Sequence, residues 1–295
     1  AKDPDGEMPD VDDDDGKTDD PTIAVISFGG KEILTGKDLE ADEFSYTITV
    51  VDENGNPVLD ETGNPIKETV KNKKDGTIPF PEETFDKPGT YYYTVEQDDT
   101  SEPGITKDDT KYTVKVVVTD DGTGKLKTEV SATDENGAKV SPTALDFTNV
   151  FRSGSLQVAK IVTGTAGDKY QQFPFKITFG ASGSYKYSGS FSGTISSGDT
   201  VKLKHGESII ITGLPAGIKY SVTETDDCGY TVTKTGDTGK IEEGVVAKAI
   251  FTNTKNASTS PKTGDSGSLG LWLAMLAFSS VGAPVTLAVG KKKRR

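Results

Sequence analysis

The chain has few of the residues that usually staple, catalyse or bind metal. One cysteine, Cys228, in 295 residues excludes an intrachain disulfide. One histidine, His205, leaves imidazole-based metal sites and acid–base triads short of members, and its place in the turn "KHGESI" comes without a nucleophile elbow. Lys and Arg number 33 against 46 Asp and Glu, a net charge of −13, which excludes a basic nucleic-acid face. Helical periodicity is missing outside the C-terminal end, and "GTGK" and "GDTGK" lack phosphate-loop spacing, so they read as hairpin turns.

Glycine (33) and proline (14) are plentiful, with many Thr, Val and Tyr, a mixture that favours β-structure with tight turns. The negative charge is uneven. Residues 1–21 hold −8 and the terminal "KKKRR" +5, leaving about −10 for the rest. Residues 1–22 are too acidic and too poor in apolar side chains to build a core and read as a solvated linker. They do not fit a calcium loop: Gly16 is out of phase with the acids, and Thr22 stands where the bidentate Glu would be. No cofactor or metal is expected. The chain begins without Met or a leader, which implies that one was processed or deleted.

Residues 23–152 alternate with period two. "EFSYTITV" places Phe44, Tyr46, Ile48 and Val50 on one face; "TYYYTV" offers Tyr91, Tyr93 and Val95; "KYTVKVVV" offers Tyr112, Val114, Val116 and Val118. Turn signals fall at Asn54-Gly55, Asp121-Gly122 and Asn136-Gly137, and the echo "ENGNPV"/"ETGNPI" predicts a small hairpin excursion. Residues 153–256 repeat the pattern with "FPFKITF", "SIIITGLPAGIKYSVTE" and "AKAIFTNT". The expectation is an all-β chain of two tandem antiparallel β-sandwiches.

Residues 257–268 read as a linker, 269–290 as an uncharged membrane span and 291–295 as its basic cytoplasmic tail. Pentapeptide, apolar run and basic tail in this order resemble the cell-wall sorting signal of Gram-positive surface proteins. In "SPKTG", Pro261, Thr263 and Gly264 match Leu-Pro-x-Thr-Gly and Ser260 replaces the Leu. The resemblance implies cleavage by a sortase between Thr263 and Gly264, membrane tethering before sorting, and attachment to peptidoglycan or another pilin subunit.

Both β-rich units end on Phe-Thr-Asn, at 147–149 and 251–253, and alternation puts each Asn on the face of its Phe. In "SLQVAKIV", Leu156, Val158 and Lys160 share a face; in "KYSVTE", Tyr220, Val222 and Glu224 do. A lysine in phase with core aliphatics is expensive unless paired or consumed. Lys, Glu and Asn together can form an intramolecular isopeptide bond: burial depresses the amine, and the acid polarises the Asn253 carboxamide and relays protons.

The second unit resembles the collagen-binding-protein B-type domains of Gram-positive adhesins, through "LQVAKIVTG", "HGESIIITGLPAGIKYSVTE" and "FTNT". The first resembles the isopeptide domain of streptococcal-type major pilins, through "LTGKDLEADEFSY", "GTYYYTVEQ" and "FTNVF". Both imply immunoglobulin-like sandwiches. Carried over, the roles fall on Lys160, Asn253 and the acid Glu224 in the second unit, and on Lys31 and Asn149 in the first, with Gln97 or Glu96 at the acid position. The expected function is a wall-anchored structural protein, pilin subunit or adhesin stalk, that is no enzyme beyond one self-modification. The other reading is a module binding a host glycan or matrix ligand through its loops.

Overall fold

The computed structural model describes residues 23–122 and 124–258. The linker 1–22, the sorting motif with Pro261, Thr263 and Gly264, the apolar segment 269–290 and the basic tail lie outside the described residues. Every regular element among the described residues is a strand, and no helix there is long and apolar enough to cross a membrane.

The alternating residues build the first core. Phe44, Tyr46 and Ile48 are buried on Ser45–Val51 and its entry, Tyr93 and Val95 on Gly89–Gln97, and Tyr112, Val114, Val116 and Val118 on Lys111–Asp120. These strands form the centre of a six-stranded antiparallel sheet edged by Lys67–Lys71 and Lys139–Val140. A three-stranded sheet (Glu32–Thr35, Phe147–Phe151, Ile105–Thr106) and the Ala24–Ser27/Glu82–Phe85 pair complete the core. Gly55, Gly122 and Gly137 turn the hairpins with positive φ, where a side chain would be strained. The "ENGNPV" and "ETGNPI" segments form stacked turns in which Asp52 and Asp60 each accept backbone N–H groups of their own loop.

The second core lies between a six-stranded sheet that contains Ser153–Thr163 and Val246–Thr254 and a four-stranded sheet that contains Phe173–Phe179 and Lys219–Glu224. Arg152 joins the sandwiches. Its backbone N–H donates to Gly104 O (2.7 Å), its carbonyl accepts from Ala216, and its guanidinium meets Glu243 (2.7 Å).

One feature of topology positions the site. In each sandwich an early strand pairs in parallel with the last one, Glu32–Thr35 with Phe147–Phe151 and Ser153–Thr163 with Val246–Thr254. Chain ends distant in sequence are thereby brought side by side, with alternate side chains aimed into the core.

Candidate functional site

Lys160, Glu224 and Asn253 meet inside the second sandwich. Alternation on Ser153–Thr163 buries Leu156, Val158, Lys160 and Val162; on Val246–Thr254 it buries Ala249, Phe251 and Asn253. Lys160 stands opposite Phe251, and Val162 opposite Asn253. Glu224 enters from the facing sheet at the end of Lys219–Glu224, with its side chain 3% exposed.

A single oxygen joins the three groups. Lys160 Nζ donates to Glu224 Oε1 at 2.6 Å, and Asn253 Nδ2 donates to the same Oε1 at 2.8 Å. Phe173 and Phe175 wall the ammonium, their ring centroids 3.9 and 5.5 Å from Nζ. Burial pulls the Lys160 pKa below its ordinary value, and the Glu224 carboxyl opposes the shift without cancelling it. Moving one proton from Nζ to Oε1 leaves a neutral amine and a neutral carboxyl, a cheaper pair in an apolar site than two ions. Glu224 Oε2 and Asn253 Oδ1 are buried without a hydrogen bond, so the cluster is not a satisfied structural network. The carboxyl meets the Nδ2 end of the amide, whereas polarisation of the carbonyl requires Oδ1. Turning the carboxamide over about its Cβ–Cγ bond exchanges the two atoms.

The first sandwich differs from its expected arrangement. Asn149 is fully buried, and Gln97 is inward and 3% exposed, while Glu96 lies on the opposite face beside Lys111. Lys31, however, is exposed, and its neighbour Glu32 is the buried residue. The Lys31 assignment is corrected by one residue of phase, which reverses the face of every side chain on a strand. Glu32 stands opposite Phe147 as Lys160 stands opposite Phe251. Tyr46 Oη donates to Glu32 Oε2 at 2.6 Å, and the Asp108 N–H donates to Asn149 Oδ1 at 2.8 Å. Glu32 Oε1, Asn149 Nδ2 and both polar atoms of the Gln97 amide have no hydrogen bond. Burial pushes the Glu32 carboxyl up to about 7 against the pull of the Tyr46 hydroxyl and the adjacent Asn149.

Two residues set aside in the sequence have structural places. His205 is half-buried, and its Nδ1 accepts the Val162 N–H at 3.0 Å, which ties a turn to the lysine strand. Cys228 is half-buried against the second core, and Gln171 Nε2 donates to its Sγ at 3.4 Å. Sequence reasoning missed Asn72, whose buried amide accepts the Phe44 N–H and donates to the Glu40 and Lys73 carbonyls. A lone Asn in "VKNKKDG" carries no signal of burial.

Residues 28–152 match the family described as the Spy0128-like isopeptide containing domain, and residues 154–255 match a domain family of unknown function. A pilin of Streptococcus pyogenes serotype M1 is 32% identical over 213 residues, 62% of each chain, so this chain spans about three fifths of that relative. The pilus tip adhesin Cpa of Streptococcus pyogenes is 40% identical over 87 residues, 28% of this chain and 13% of the adhesin. The crystal structure of the major pilin from Streptococcus pyogenes superposes with a TM-score of 0.53 at 27% identity, over 79% of this chain and 99% of that one. Residues 28–152 thus match a Spy0128-like isopeptide containing domain by sequence, and the two sandwiches share the fold of the streptococcal major pilin.

Proposed function

We propose that this chain is an extracellular structural subunit, a pilin or adhesin stalk, whose second sandwich cross-links itself between Lys160 and Asn253. The observation that carries the reading is the single Glu224 oxygen touching both the amine of the early strand and the amide of the last. The neutral Lys160 Nζ attacks Asn253 Cγ, and Glu224 takes the proton from Nζ and delivers it to the departing nitrogen. The new C–N bond replaces the old one and ammonia leaves, with no external reactant. The same atoms cannot turn over again, so the chemistry is a single self-modification.

Display at the surface through a sortase acting on Pro261, Thr263 and Gly264, and association with other pilin subunits, belong to the same proposal. The pilin and tip-adhesin relatives support them.

Intact-mass measurement tests the cross-link, since each bond removes one ammonia, about 17 Da. The deficit is expected in the wild-type chain, with a Lys160–Asn253 cross-linked peptide after digestion. Glu224→Gln should restore the full mass, because an amide cannot relay the proton. A wild-type chain of full mass rules the bond out.

A further inference from the structure

We infer that the first sandwich closes without a covalent bond and is the extensible half of the chain, because Glu32 and Gln97 fill the positions that Lys160 and Glu224 fill in the second. The family matched by residues 28–152 is described as isopeptide containing, so this is a departure within the family. The openness of the first sandwich is independent of the cross-link proposed above; only the contrast between the halves rests on it.

Three observations carry the inference. The parallel register sets Glu32 against Phe147 and Lys160 against Phe251, each Phe two residues ahead of a buried Asn. An acid thus occupies the nucleophile's place, and a carboxylate or carboxyl cannot displace ammonia from Asn149 to give an amide. Second, Lys160 is the only buried lysine among the described residues. Third, Lys31 beside Glu32 is exposed, and Lys107 and Lys37, whose amines reach Gln97 O and the Phe151 ring, are paired with acids. Lys107 is held by Asp99 (3.1 Å) and Asp109 (3.3 Å), and Lys37 by Glu43. At Lys107 the two acids raise the pKa against the effect of burial, which keeps it as ammonium, without the lone pair that attack requires.

Closure of the first sandwich therefore rests on the Glu32–Thr35/Phe147–Phe151 ladder, the Tyr46–Glu32 hydrogen bond, and Phe147 packed against Tyr46 and Tyr112 at 5.0 and 5.3 Å. Tension along the chain loads that ladder directly. In the second sandwich a Lys160–Asn253 bond would carry the load past everything between those residues.

Single-molecule pulling of the full chain, held at its two ends, tests this alongside intact mass. Unfolding of residues 28–152 should lengthen the chain by about 40 nm at an extended rise of ~3.5 Å per residue. One such step and one ammonia deficit are expected. Absence of the step, or a second ammonia deficit mapped to Asn149, overturns the inference. Two long steps with no deficit leave it standing and sink instead the cross-link proposed for the second sandwich.

Discussion

Glu32 and Lys160 occupy the same place in two sandwiches, one opposite Phe147 and the other opposite Phe251 across a parallel strand pair. Both are buried, and each has one strong partner, Tyr46 Oη for the acid and Glu224 Oε1 for the amine. The partners differ in what they permit. A phenol can only hold a carboxyl in place, whereas a carboxyl beside an amine and an amide can move a proton between them.

Removal of Asn253 should separate the stability of the two halves. Asn253→Ala leaves the Lys160–Glu224 pair intact but takes away the electrophile. Covalent closure of the loop from Lys160 to Asn253 is worth roughly 4 to 5 kcal/mol by chain entropy, so the variant's second sandwich should melt and be proteolysed well before the wild type's. The first sandwich, scored in the same digest, should be unchanged. Equal protease resistance of the second sandwich in variant and wild type would show that no bond closes it.

The first sandwich should lose stability as pH rises. Glu32 has an ordinary pKa of 4.5 and one of about 7 when folded, so between these values the unfolded chain has released a proton that the folded chain keeps. Its contribution is fully present below about pH 4.5 and declines, by at most about 1.4 kcal/mol per pH unit, until it levels off above about 7. Tyr46, Asn149 and the Asp108 charge surround the carboxyl. The melting temperature of the first sandwich should therefore fall from pH 5 to 7 in the wild type, and the slope should flatten in Glu32→Gln. An unaltered slope in that variant would place the titration elsewhere.

Much of this was legible in the sequence, and the failures have physical causes. Period-two alternation exposed the cores because a sandwich buries one face of each strand, as in Tyr112, Val114, Val116 and Val118. Lys160 announced itself because Leu156 and Val158 fixed its phase. Lys31 misled because "GGKEILTG" gives a four-residue strand with one apolar residue, Leu34, on the inward face; Leu34 shares that face with Glu32, the signal that would have set the phase correctly. The orientation of the Asn253 amide, the pairing of His205 with Val162 and the half-burial of Cys228 depend on neighbours supplied by distant strands, and no local pattern encodes them.

His205 gives a local pH response of opposite sign in the second sandwich. Burial, with Lys169 nearby, lowers its pKa below the ordinary 6.5. Neutral Nδ1 accepts the Val162 N–H, and a protonated ring cannot. That contribution is present above pH 6.5 and is lost as pH falls through the folded value. Amide exchange at Val162, corrected for intrinsic rate, should accelerate in acid while Val158 on the same strand stays protected. His205→Asn should abolish the difference in pH response, and its persistence in the variant would remove His205 as the cause.

The sharpest check on the equivalence of the two sites is to rebuild one from the other. Glu32→Lys supplies the amine and Gln97→Glu the proton relay, with Asn149 already buried in place. Made together, the two substitutions exchange an acid and an amide for a pairable lysine and carboxyl, so neither ion is left alone in the core, whereas Glu32→Lys alone would bury an unpaired ammonium and should destabilise the fold. The double variant should show a further ammonia loss of about 17 Da relative to its calculated mass, with Lys at position 32 joined to Asn149 in the digest, and the long extension step should disappear under force. A folded double variant of undiminished mass would mean that position 32 does not present its side chain to Asn149 as Lys160 presents its own to Asn253.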